Sequence, residues 1–324
     1  MKSFLQVAGK YLFGTFAVNE TPIGLELVRM NSELAEIYGR KRSTIVRAEC
    51  TTNIRLRFKT DSKNIGLSIR FGDAARLVYA TDISVKGFDT MSLSPLDPAD
   101  GLDMTVRLPG TGLRDVTIEF PHLVRTWLKD VRLDDGATIE QAVPLDGKMI
   151  FIGDSIFQGM TASSPTRTLA SIAANLLHKD LVNVAVGGGM MDARAVESSK
   201  GYGADIALVN FGVNDYAHGG ALNDFKKRTV ECANALASNS KWQPYAISPV
   251  PYLNDKGKNA AGHTFAEFRK VFTDVMSSYP SIKVLDGFEM LPYDKDCFID
   301  GCHPNDMGSL IYGNAIAKAI KLLG

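Results

Sequence analysis

Two groups in this sequence are suited to acyl chemistry: a serine that directly follows a short apolar run, and a histidine that follows an aspartate by three positions near the other end. Ser155 stands in Gly153-Asp154-Ser155-Ile156-Phe157-Gln158-Gly159, immediately after Met149-Ile150-Phe151-Ile152. At a strand-to-helix turn a serine holds its hydroxyl at the edge of a sheet, and its own N–H can help bind a developing oxyanion. The same residues also make an ordinary turn with a helix N-cap, where Ser and Asp are favoured. Asp300-Gly301-Cys302-His303 precedes Pro304. A carboxylate in that position accepts from one ring nitrogen and leaves the other to face a serine as general base. Asp–His contacts also occur on plain surfaces, but His122, His178, His218 and His263 lie in segments without a comparable partner.

Two further segments could complete such a site. Gly187-Gly188-Gly189 offers unblocked backbone N–H groups; it reads equally as a plain turn, and as a dinucleotide loop it fails because Asp192 occupies the last position of G-x-G-x-x-G/A. Gly212-Val213-Asn214-Asp215 carries a side-chain amide that could donate into the same space, with a type I or Asx turn as the alternative. Cys297, Cys302 and His303 are close in sequence, but three ligands without a matching cluster make a poor zinc site. No metal and no cofactor is expected.

The elements that must position these residues fall into two halves with different periods. Ile54, Leu56 and Phe58, then Ile65, Leu67, Ile69 and Phe71, alternate with polar residues on either side of Thr60–Asn64, which predicts a hairpin. Further alternating runs at Val78–Val85, Met104–Leu108 and Val116–Phe120 have the spacing of an antiparallel all-β sandwich or jelly roll. Turn chemistry at Pro144-Leu145-Asp146-Gly147-Lys148 marks a boundary, giving a β-sandwich domain over 1–145 and a second domain over 146–324.

After the boundary, apolar strands at 149–152, Leu181–Val186, Ile206–Phe211, Pro244–Ser248 and Ile282–Leu285 alternate with helical spacing at Thr168–Leu177, Phe225–Ala237 and Met307–Leu323. That pattern predicts a parallel sheet covered on both faces, with its ligand site at the carboxyl ends of the strands. Ser155, the glycine run and Asn214 each follow such a strand.

Composition narrows the function further. The 324 residues are 45% hydrophobic and 22% charged, with 36 Lys+Arg against 36 Asp+Glu. Zero net charge gives no overall attraction for phosphate backbones, so nucleic acid is not an expected partner. Nothing approaches the ~18 uninterrupted apolar residues of a membrane span, and no membrane partner is expected. The first residues, Met1-Lys2-Ser3-Phe4-Leu5, have their apolar stretch broken by Lys10 and do not read as a secretory signal, although a processed chain would look the same. Four unevenly spread cysteines suit a reducing compartment; the expected location is the cytoplasm if Met1 is the native start, and a secreted or periplasmic one if a signal peptide has been removed.

Together the four segments, Gly153-Asp154-Ser155, Gly188, Gly212-Val213-Asn214-Asp215 and Asp300-Gly301-Cys302-His303, resemble the four blocks of the SGNH, or GDSL, hydrolase family, across roughly residues 148 to 324. The resemblance implies a flavodoxin-like three-layer α/β/α fold and ester or thioester hydrolysis through an acyl-serine. It makes Ser155 the nucleophile, His303 the base and Asp300 its orienter, with Ser155 N–H, Gly188 N–H and the Asn214 amide as oxyanion hole. The second block departs slightly: it reads Asn183-Val-Ala-Val-Gly-Gly188 with an extra Gly189, which leaves Gly187 and Gly189 open as donors. A classical α/β-hydrolase shares the order Ser, Asp, His but requires G-x-S-x-G, and Phe157 holds the last place here.

A β domain ahead of an SGNH domain also resembles the two-domain esterases of Bacteroidetes-type carbohydrate metabolism, acetyl-xylan esterases of that layout, and some acyltransferases of secondary metabolism. The expected reaction is therefore hydrolysis of a short acyl ester, acetyl first, on a small molecule or saccharide, with transfer to an alcohol acceptor as the alternative. Tyr79, Phe88 and Trp127 could face a sugar, but core packing is the expected role of aromatics in a sandwich.

Overall fold

The computed structural model describes residues 1–323, and the chain divides into two compact units. The first comprises Met1–Asn31, Glu49–Leu145 and Ser163–Thr166; the second comprises Ser32–Ala48, Asp146–Ala162 and the chain from Arg167 onward.

The strands of the first unit are β1 (Lys2–Ser3), β2 (Leu12–Phe13), β3 (Ala17–Thr21), β4 (Gly24–Val28), β5 (Arg55–Thr60), β6 (Asn64–Ala74), β7 (Thr81–Val85), β8 (Met91–Leu93), β9 (Leu102–Arg107), β10 (Arg114–Glu119), β11 (Val124–Leu133) and β12 (Ile139–Gln141). They form two antiparallel sheets. One runs β3-β4-β11-β6-β9 with β1 beside β11, and the other runs β12-β5-β10-β7-β8 with β2 beside β5. Alternate residues of both sheets, among them Leu56, Phe58, Leu67, Ile69, Ile83, Ile118 and Leu128, fill one apolar cluster.

The expected hairpin around Thr60–Asn64 is not formed: β5 and β6 lie in different sheets, β5 paired with β10 and β6 with β11 and β9. Alternation with period two sets which face of a strand is buried, and a hairpin and a crossover between sheets share it. What holds the crossover is Asp134, at the end of β11. Its carboxylate accepts from the Lys63 and Asn64 N–H groups, each at 2.9 Å, and from the Ser62 hydroxyl at 3.1 Å. Of the three aromatics considered for a sugar, Tyr79 packs on Phe71 and Trp127 lies under the Arg125 guanidinium, whereas Phe88 is 49% exposed.

The second unit is built on a parallel sheet of β13 (Lys148–Gly153), β14 (Asp180–Asn183), β15 (Ile206–Asn210), β16 (Gln243–Ile247) and β17 (Lys283–Leu285). Its order β14-β13-β15-β16-β17 is that of a doubly wound sheet, with the switch point beside β13. Met149–Ile152 and Ile206–Asn210 are buried throughout, as strands covered on both faces must be.

The helices are α1 (Ser32–Tyr38), α2 (Arg42–Glu49), α3 (Ser155–Gln158), α4 (Leu169–Leu176), α5 (Ala193–Ser199), α6 (Val213–Ala217), α7 (Leu222–Ala237), α8 (Phe265–Ser277), α9 (Gly287–Met290) and α10 (Asp306–Leu323). α4 packs with α10, and α7 packs with both α5 and α8. The segment 32–48, counted above with the first 145 residues, packs with the second unit. Leu34 and Tyr38 of α1 are buried, α1 lies against α5, and the Ser198 hydroxyl donates to Glu33 at 2.7 Å. No helix among the described residues is long and apolar enough to cross a membrane.

Candidate active site

The switch point of the sheet gathers four loops. Ser155 begins α3 directly after β13, and Asp154 caps that turn by accepting the Ile156 N–H at 2.9 Å. Asn214 lies in α6, just after β15. His303 lies before α10, in a loop closed by a bridge between Phe298 and Pro304. That loop is held from the segment after β16: the Leu253 N–H donates to Gly301 O at 2.7 Å, and the Asn254 amide donates to Asp300 O at 2.7 Å. Gly301 has φ +76°, and a Cβ there would stand 2.6 Å from Asn254 Oδ1, so only glycine fits without strain.

Ser155, His303 and Asp300 form one hydrogen-bonded chain. His303 Nε2 is 2.7 Å from Ser155 Oγ, and Nδ1 is 2.8 Å from Asp300 Oδ2. A carboxylate only accepts, so Nδ1 carries the proton and Nε2 is left to accept from the serine. Burial works to raise the Asp300 pKa, but hydrogen bonds from the His303 N–H, its ring and the Cys302 N–H outweigh it and hold the carboxyl below its ordinary value. The neighbouring Cys302 thiol is pushed up to about 12, by burial and then by the charges of Asp154 and Asp300. It stays protonated, and the group that faces His303 Nε2 is the Ser155 hydroxyl.

The glycine loop spends its N–H groups unevenly. Gly187 N–H donates to Gln158 Oε1 at 2.7 Å and Gly189 N–H to Val186 O at 2.8 Å. Among the described residues no acceptor lies on the N–H of Gly188 or of Ser155. Of the three glycines, Gly188 is therefore the one with a donor to offer. Its φ of +80° is a left-handed conformation that would cost a side-chain-bearing residue about 1–2 kcal/mol. Asn214 Nδ2 donates to Gly189 O at 3.0 Å and approaches Asp154 Oδ2 at 3.3 Å, which sets its amide beside the same loop. Met191 N–H donates to Asp215 Oδ2 at 3.1 Å, and Asp215 pairs with Arg228 at 2.9 Å. Gly188 and Gly189 also line a cavity of about 510 Å³ with Ile37, Tyr38, Met190 and Met191.

Asp154, Gln158 and Asp215 support this site through contacts that the sequence does not display. A fully buried Gln158 one turn after Ser155 is a signal visible only once burial is known. Among the described residues no group of three His, Cys, Asp or Glu side chains could hold a metal.

Burial pushes the Asp154 carboxyl up to about 7, with the nearby Asp215 charge adding to it and the Ile156 N–H opposing. A pKa above the ordinary 3.8 means the folded chain holds this proton more tightly than the unfolded one. Its stabilising contribution is complete at low pH and is lost as pH rises through about 7. Asp154→Asn keeps an acceptor for Ile156 but has no charge to bury. Between about pH 4 and about pH 8 the Tm of wild type should fall relative to the variant, by the equivalent of a few kcal/mol at most. A Tm difference that stays constant over that range would contradict the assignment.

Residues 151–311 match the model of the GDSL-like Lipase/Acylhydrolase family. No curated protein matches the chain. Among solved structures, "Salicylyl-Acyltransferase SsfX3 from a Tetracycline Biosynthetic Pathway" superimposes with a TM-score of 0.79 at 22% identity, over 97% of this chain and 94% of that one. A family two carbohydrate esterase from Cellvibrio japonicus gives 0.64 at 12% identity, over 94% and 96%. Another from Clostridium thermocellum, in complex with cellohexaose, gives 0.65 at 13% identity, over 96% and 98%. At these identities the likeness is one of fold.

Proposed function

We propose, from the premise that the chain belongs through residues 151–311 to the GDSL-like Lipase/Acylhydrolase family, that it is a serine esterase removing a short acyl group, acetyl first, from a hydroxylated small molecule or saccharide. The observation that carries this reading is the chain Ser155–His303–Asp300, set beside two N–H groups that have no acceptor among the described residues.

Ser155 Oγ attacks the ester carbonyl carbon while His303 Nε2 takes the hydroxyl proton, and Asp300 stabilises the resulting imidazolium. The carbonyl oxygen becomes an oxyanion, received by the N–H groups of Ser155 and Gly188 and by one N–H of the Asn214 amide, which gives up its longer bond to Asp154 Oδ2. Collapse breaks the bond to the alcohol, which leaves with the proton from His303. Water, deprotonated by the same imidazole, then attacks the acyl-serine and releases the acid. We read the two sheets of the first unit as a β-sandwich.

A second reading replaces water by an alcohol acceptor and makes the chain an acyltransferase. The name of the acyltransferase that superimposes over nearly its whole length favours it. Turnover of p-nitrophenyl acetate and longer homologues, with and without added alcohols, separates the two. Acid release that acceptors do not divert supports the esterase, ester formation at the expense of acid supports transfer, and absence of p-nitrophenol release with every ester refutes both.

Asn214→Ala is expected to lower kcat by about 10² to 10³ with little change in KM, because the amide acts on charge that appears only in the transition state. Initial-rate kinetics check this; a change confined to KM would assign Asn214 to substrate binding.

A further inference from the structure

We propose that Arg47 is a positioning residue for this site: it holds the Gly187–Gly188 peptide in the one orientation that turns the Gly188 N–H toward the substrate. The inference rests on the reading of Gly188 as an oxyanion donor. It adds a residue that lies outside the matched segment 151–311 and more than a hundred positions from the loop it serves.

A peptide unit is a rigid plane in which the carbonyl of one residue and the N–H of the next point in opposite directions. Whatever fixes the Gly187 carbonyl therefore fixes the Gly188 N–H. Arg47 Nη1 donates to that carbonyl at 2.8 Å. The peptide needs such a hold because three consecutive glycines leave its flanking dihedrals almost unrestricted, and glycine adopts either sign of φ with little penalty. A flip of this one plane would turn the Gly187 carbonyl, an acceptor, to where a donor is required.

Gln158 completes the clamp from the other side. Its Nε2 donates to the Arg47 carbonyl at 2.8 Å while its Oε1 accepts the Gly187 N–H at 2.7 Å. The arginine also lies on the loop: a Cβ on Gly187 would stand 3.0 Å from Arg47 Cδ, and one on Gly188 3.0 Å from Nη1. The glycines thus admit the guanidinium as well as the turn. Arg47 belongs to the helical segment 32–48, which packs within the second unit, so the contact is internal to the unit that carries Ser155 and His303.

Two variants and two readouts test this. Arg47→Met keeps the aliphatic stem and removes the donors, and Arg47→Lys restores one cationic donor. With p-nitrophenyl acetate, Arg47→Met should lower kcat about 10- to 100-fold with KM within about twofold, since part of one oxyanion donor is lost, and Arg47→Lys should fall between it and wild type. Amide hydrogen exchange measured by mass spectrometry should accelerate over residues 184–191 in Arg47→Met and not in the strands of the sheet. Unchanged exchange in that segment overturns the proposal, as does a raised KM at wild-type kcat, which would make Arg47 a substrate contact. Accelerated exchange together with a wild-type protein that cleaves no ester supports the clamp and refutes the esterase reading instead.

Discussion

Replacing Ser155 by alanine is expected to abolish ester turnover and leave the fold in place. In the proposed reaction its hydroxyl is the attacking atom, and removal of comparable nucleophiles lowers kcat by roughly 10⁶. The turn itself does not depend on the hydroxyl. Asp154 caps it through the Ile156 N–H, and Gly159 closes it in a left-handed conformation. Among the described residues the side chain gives up its bond to His303 Nε2 and no other, so the change in unfolding free energy should stay within about 1 kcal/mol. Residual kcat above roughly a thousandth of wild type, with contaminating activity excluded, would remove Ser155 from the role of nucleophile. An organophosphonate probe gives an independent reading: it should label wild type once, on the peptide containing Ser155, and leave the alanine variant unlabelled.

His303→Ala should be about as damaging as the serine change, because without a base the hydroxyl is not deprotonated as it attacks. Asp300→Asn should cost less, about 10⁴ in kcat, since the carboxylate orients the ring and stabilises its charged form without touching the substrate. The asparagine would still offer an oxygen to the Cys302 and His303 N–H groups, so the loop should keep its shape. The effects should not add: the double variant Ser155→Ala/His303→Ala should be no worse than either single one, because each already disables the same proton-coupled attack. A double variant slower by a further factor of about a thousand would mean that the two residues act separately.

Ser155, the glycine run and Asn214 were legible in the sequence because each follows a short apolar run suited to a strand buried on both faces. Met149–Ile152, Leu181–Val186 and Ile206–Phe211 place Ser155, the glycine run and Asn214 at one edge of a parallel sheet. An Asp three residues before a His is a local signal of the same kind. In the structure these groups stand within hydrogen-bond distance of one another or around one loop.

What the tertiary structure alone decided is where the polar groups spend their hydrogen bonds and which strand lies beside which. Nothing local distinguishes Gly188 from Gly187 and Gly189. The difference is that Gln158 and Val186 take the N–H groups of the other two. Arg47 carries no local signal because its partner is 140 positions away. Thr60–Asn64 reads as a hairpin because period two specifies the face a strand buries and not its neighbour. The Asp134 carboxylate, 70 positions beyond Asn64, is what turns that connection from one sheet to the other. Side-chain period is a property of consecutive residues, and so the sequence carries it; the satisfaction of a single buried donor depends on atoms that only folding brings near.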